Sequence, residues 1–215
     1  MFERIPFRAA ATLVGAGALG VALTTAVEVV TAPYSSAVSL YAANGVVHVL
    51  KVVALIAFAA GMLSIREHEQ DRLGRLGSAA VLSAALASIV GAIPYSLVEA
   101  SLNPGLTPAA ANLRLDAIYA DQAWIGITAS VAMPVMVVSV IVLAVVMLRR
   151  HLVATWAPVA SLVSIPVAIA AMPLAELTGV PLPHPPAWIF LGLSCYGAAL
   201  ASTRETLTHS AAPIV

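Results

Sequence analysis

The chain has 215 residues, of which 61% are hydrophobic and 9% charged, and its mean hydropathy is +0.99. A soluble domain carries charge on about a quarter of its residues, so this composition excludes an ordinary water-soluble globule and calls for a bilayer. Ten Lys and Arg balance ten Asp and Glu, which leaves no global basic field for nucleic acid, and the single cysteine, Cys195, excludes a disulfide scaffold.

Apolar windows of about 20 residues, enough to cross roughly 30 Å of hydrocarbon, fall at 9–30, 40–65, 77–100, 122–148, 155–175 and 186–203. They are continuous and rich in Ala, Leu and Val, unlike the alternating segments of about ten residues in a membrane barrel. The expected fold is all-α: a polytopic integral membrane protein, a six-helix transmembrane bundle forming one domain over 1–215, with no internal repeat.

The first window follows Arg4 and Arg8 and is about twice the length of a signal-peptide core. It contains Gly15, Gly17 and Gly20 in a GxGxxG spacing. No strand precedes them, so they read as helix-packing residues, with Ala16 and Gly20 as a small-xxx-small pair, and not as a dinucleotide loop. Thr24, Glu28 and Thr31 lie on one face near its end. In the second window Tyr41, Asn44, His48 and Lys51 are spaced by three, four and three, which confines them to about 80° of the helix circumference. The segment with Glu67, His68, Glu69 and Asp71 reads as a solvated loop before the third window, which brings Tyr95 and Glu99 just after Pro94.

Residues 101–121 form the largest external segment, read as a short amphipathic helix with Leu113, Ile118 and Tyr119 against Asn112, Arg114, Asp116 and Asp121. Asp121, Trp124 and Thr128 then share a face at the start of the fourth window, Glu176 ends the fifth, and Trp188 opens the sixth. Met133 and Met136 read as packing residues and Cys195 as a small buried apolar one. His68, His151, His184 and His209 fall outside the windows, so no facing pair of histidines is available for haem and the spacing follows no metal motif; no metal or cofactor is expected.

Cytoplasmic loops retain Lys and Arg. Arg4, Arg8, Arg66, Arg72, Arg75, Arg149, Arg150 and Arg204 all fall on one side if both termini are cytoplasmic, as an even number of spans requires. That side has three net positive charges after Glu3, Glu67, Glu69, Asp71 and Glu205 are set against them. The outer half, with Lys51 and Arg114 against Glu28, Glu99, Asp116, Asp121 and Glu176, has three net negative ones. The expected location is the cell membrane.

An ionisable group inside a span costs on the order of 3 kcal/mol, so it usually faces the bundle interior and a partner. Gathering three helix-borne carboxylates, a His and a Lys at one depth is most economically explained by a shared outer-leaflet cavity, with Glu28 or Glu99 as the partner of Lys51. The plainer reading is that Lys51 snorkels outward and the carboxylates mark helix ends. The cavity reading makes Glu28, His48, Lys51, Glu99 and Asp121 the catalytic candidates, and Tyr41, Asn44, Tyr95, Trp124, Glu176 and Trp188 the substrate-binding ones.

Carboxylates, His and Tyr without a metal motif, a phosphate loop or a nucleophile triad point to proton transfer on a lipophilic, isoprenoid-like substrate, as in a cyclisation or isomerisation. In that scheme Glu99 or Glu28 is the acid, His48 or Asp121 the final base, Lys51 an electrostatic tuner, and the aromatic rings stabilise a carbocation. The analogy is one of class, with integral-membrane terpene cyclases and sterol isomerases, and no diagnostic motif of either stands in the chain. Two alternatives stay open: a small proton-coupled transporter, with the prolines as helix breaks, and an accessory membrane subunit without chemistry. The expected partners are a lipophilic small molecule, the lipid bilayer, and either further copies of the chain or a partner membrane subunit.

Overall fold

A computed structural model describes residues 5–31, 45–101, 108–180 and 182–210. Tyr41 and Asn44 lie outside them. Every regular element among the described residues is helical: α1 (Phe7–Thr31), α2 (Gly45–Leu86), a π-helical segment (Ala87–Ala92), α3 (Ile93–Ala100), α4 (Pro108–Asp121), α5 (Ala123–Arg150), α6 (Trp156–Thr178) and α7 (Pro185–Ser210).

The packing of α1 follows from a seven-residue repeat. Phe7, Val14, Val21 and Glu28 are buried, and so are Ala11, Ala18 and Thr25 on the neighbouring row. A repeat near 3.5 residues keeps one seam against a partner helix. In α2 the matching rows are His48, Leu55, Met62 and Glu69, and Val52, Ala59 and Leu73. The two helices pack along these seams, while α1 meets α7 on its other side. Small residues set the spacing. A Cβ on Gly17 would strike the backbone of Phe58 and Ala54, and one on Gly197 would strike the backbone of Gly15. Gly20 meets Ala54 in the same contact, but Ala16 faces outward, because the seam passes through 17 and 18.

The region between the second and third apolar windows is not a loop. Helix continues through Glu67, His68, Glu69 and Asp71, and the reversal occurs at Gly74, whose φ of 63° and ψ of −173° suit glycine. Glu69 is buried there and accepts from the Arg72 guanidinium at 2.8 Å. The two limbs fold back on one another, so Arg66 Nε donates to Ser78 Oγ at 2.8 Å, and Gly45 at the far end lies against Ala100.

The α4 segment is helical with Ile118 and Tyr119 half-buried, but Leu113 is exposed and Leu115 is buried in its place. The chain breaks at Gln122 (φ −125°, ψ 54°), so Asp121 ends one helix while Trp124 and Thr128 belong to the next. α5 packs on α2, the π segment and α6, and α6 on α7, where Ser161 Oγ donates to the Gly192 carbonyl at 2.8 Å. Cys195 is half-buried beside the core, not enclosed by it.

Three stretches, Phe7–Glu28, Gly45–Ala100 and Ala123–Arg150, are long and apolar enough to cross a membrane, and Trp156–Ala171 is a shorter apolar helix. Large apolar side chains also cover the outside, among them Val46, Leu50, Val53, Ile127, Val138 and Ile169. An apolar coat of this extent is the opposite of a soluble surface.

Candidate functional site

Three local devices bring one cluster together. The α1 repeat carries Glu28 to the seam at the opposite end of the helix from Phe7, and the α2 repeat carries His48 to the same end of the bundle. Lys51 lies one turn further along α2. The third device is the π segment. Across it the Ile93 N–H donates to the Ser88 carbonyl, five residues back. A π turn adds a residue and displaces the downstream positions by about one. Beyond it the buried positions are Ser96 and Glu99, so Glu99 faces His48 while Tyr95 is half-buried at the side.

His48 Nδ1 stands 3.3 Å from Glu28 Oε1 and 3.3 Å from Glu99 Oε2. Lys51 Nζ pairs with the same Glu28 oxygen. His48 is 1% exposed, Glu28 5%, Glu99 6% and the Lys51 side chain 12%. Both approaches to Nδ1 are charge contacts without the alignment of a hydrogen bond. With both carboxylates ionised and Lys51 charged, a neutral His48 leaves the cluster one negative charge in surplus. An added positive charge would bring the cluster to neutrality.

Next to the cluster is a cavity of about 580 Å³, within the size range of small-molecule sites. Lys51 and Thr25 reach its wall, and the rest is largely apolar, with Leu55, Met133, Met136 and Phe190 among its lining. Tyr95 and Tyr119 line it as a stacked pair, their ring centres 6.1 Å apart and their planes at 10°. Pro186 adds the start of α7 to the wall, and two residues earlier stands His184 in the α6–α7 connection. Burial holds the His184 imidazole below the ordinary histidine value; Lys51 acts in the same direction and Glu99 opposes it.

Of the residues singled out from sequence, Glu28, His48, Lys51 and Glu99 converge, and Tyr95 joins the cavity beside them. Asp121, Trp124 and Glu176 are exposed and do not line the cavity. Trp188 packs against the core and donates its indole N–H to the Pro183 carbonyl at 3.0 Å, which holds the connection before α7. Sequence reasoning passed over Thr25, Tyr119, His184 and Phe190 as site residues. Thr25 was legible in principle, since it continues the Ala11 and Ala18 row, whereas Tyr119 and His184 arrive through connections whose course no periodicity encodes. Met136 is a core residue, as its packing role suggests, and it lines the cavity with Met133. Among the described residues no group of three or more His, Cys, Asp or Glu side chains is arranged to hold a metal ion.

Comparison with protein-family models, with curated proteins and with solved structures returns no match for this chain.

Proposed function

We propose that this protein is a membrane-embedded acid–base enzyme that isomerises or cyclises a lipophilic, isoprenoid-like molecule. One observation carries the reading: four ionisable side chains from three helical elements converge in a buried cluster at the wall of an apolar cavity. Burying such groups is expensive, and a role in packing alone gives no return for that cost. Lys51 is the member that reaches the cavity, and Glu28, His48 and Glu99 behind it hold the proton. An isomerisation takes one proton at one carbon and returns one from another, so the cluster ends each cycle in its starting charge state. The faces of Tyr95 and Tyr119 and the ring of Phe190 suit a transient carbocation in a cavity otherwise low in polarity.

The same reading sets the chain in the cell membrane with six crossings and both termini cytoplasmic. Its support is the sorting of charge: Arg66, Arg72, Arg75, Arg149 and Arg150 lie at the Gly74 end of the bundle, and Glu28 and Glu99 at the other. Outer-leaflet substrates would then meet the cluster end first.

Reconstituted protein, incubated in deuterium oxide with a panel of linear isoprenoid alkenes, alcohols and epoxides, tests the chemistry. Carbon-bound deuterium in a rearranged product is the expected result, abolished in the Glu28→Gln, Glu99→Gln double variant. Products identical to protein-free controls overturn the assignment. The proton-storing cluster is equally suited to a proton-coupled carrier, and pH-driven accumulation of an unaltered substrate in proteoliposomes would establish that reading instead.

A further inference from the structure

We propose that the cavity takes a neutral oxygen-bearing lipophile, a ketone, epoxide or alcohol, with its oxygen held between the Thr25 hydroxyl and the Lys51 ammonium and its hydrocarbon along Leu55, Met133, Met136 and Phe190. This rests on the cavity being the substrate site, and it names the substrate class for that site.

The argument starts from Thr25. It is 2% exposed, it lines the cavity, and its hydroxyl has no hydrogen-bond partner among the described residues. A threonine in a helix normally resolves this by donating to its own backbone, as Thr24 does next to it, with Oγ1 2.8 Å from the Gly20 carbonyl. Thr25 forgoes that bond. A buried hydroxyl left unpaired is costly, and a ligand acceptor at the cavity wall supplies the missing partner.

Lys51 provides the second donor. An ammonium has three N–H groups, and the pair with Glu28 engages one of them. Two donors on the wall of an apolar chamber select an acceptor oxygen. The neighbouring carboxylates decide its charge, because Glu28 and Glu99 already exceed the fixed positive charge of Lys51 when His48 is neutral. A carboxylate or phosphate would add repulsion, whereas a carbonyl, ether or hydroxyl oxygen adds none. A hydrocarbon would fill the chamber and leave Thr25 unpaired.

The probe is farnesylacetone, an isoprenoid ketone labelled with carbon-13 at the carbonyl, with farnesene as the hydrocarbon control and farnesoic acid as the anionic one. Binding is measured to the full chain in lipid nanodiscs. The ketone is expected to bind most tightly, with its carbonyl stretch moved to lower frequency in isotope-edited infrared spectra. Thr25→Val should weaken ketone binding about tenfold, the equivalent of about 1.4 kcal/mol, leave farnesene binding unchanged, and melt no lower than the parent protein without ligand. Equal affinity for ketone and hydrocarbon, tighter binding of the acid, or an unshifted carbonyl band overturns the proposal, as does a Thr25→Val variant that binds the ketone normally. Thr25-dependent ketone binding without deuterium incorporation into any product keeps this inference and removes the enzymatic reading. Deuterium incorporation with Thr25-independent binding does the reverse.

Discussion

Glu28 and Glu99 touch the same nitrogen of His48, yet they are not equivalent, because only Glu28 also neutralises Lys51. Glu28→Gln strands a buried ammonium, and breaking a buried pair from one side costs about 3–5 kcal/mol. Glu99→Gln removes the surplus negative charge and leaves the Glu28–Lys51 pair intact. The first variant is expected to melt well below the parent in detergent, and the second close to it, while turnover in Glu99→Gln falls about 100-fold or more, the range for loss of a proton-transfer group. Similar melting temperatures for the two variants would contradict the division of labour. His184 offers a pH test outside the helices. Its native value lies below the ordinary 6.5, so the unfolded chain binds the proton more readily. Stability from this group is complete above 6.5 and is lost as pH falls through the native value. Thermal unfolding between pH 7.5 and about 5 should therefore decline more steeply for the parent than for His184→Gln.

At the scale of elements, the π segment is the device on which the site depends. Inserting one alanine after Val90 adds a further residue to the register of 91–100 and turns Glu99 away from His48 by about 100°. The expected variant keeps its helical circular dichroism and loses turnover and ketone binding together; retained activity would show that the register of Glu99 is immaterial. Gly74 is the complementary case, a structural device remote from the cluster. Its φ of 63° penalises any side chain, and a Cβ there would press on the Arg150 guanidinium, which donates to the Arg72 carbonyl at 2.8 Å. Gly74→Ala should cost about 1–2 kcal/mol in reversible unfolding and leave ligand affinity unchanged. The sequence shows Gly74 only as one glycine in a charged stretch, and nothing in 87–92 marks a π turn, since both depend on how the limbs pack.

For the whole molecule, the two ends of the bundle differ in kind. One end gathers the Gly74 turn, the start of α1 through the His68 contact with the Ile5 carbonyl, and the end of α5 through Arg150. The other gathers Glu28, His48, Glu99 and the α6–α7 connection. The six-crossing arrangement proposed above puts these ends on opposite sides of the membrane. In a Cys195→Ser background, a cysteine placed at His151 is expected to react with an impermeant maleimide only in inverted vesicles, and one at Asp121 only in right-side-out cells. Labelling of both from one side would refute the six-span arrangement.

Composition and periodicity alone determined that the chain is all-α and apolar enough for a bilayer, because solvent transfer free energy is a sum over residues and needs no knowledge of contacts. They also put Glu28 and His48 on polar stripes expected to face the bundle interior, since spacing along one helix is local information. Which carboxylate meets which base was decided only by the tertiary structure. The reversal at Gly74, the extra residue of the π segment and the arrival of Tyr119 and His184 from connections are each set by packing between segments distant in sequence. Asp121 and Trp124 illustrate the limit: their spacing suits one helix face, but the break at Gln122 places them on different helices, and neither reaches the cavity.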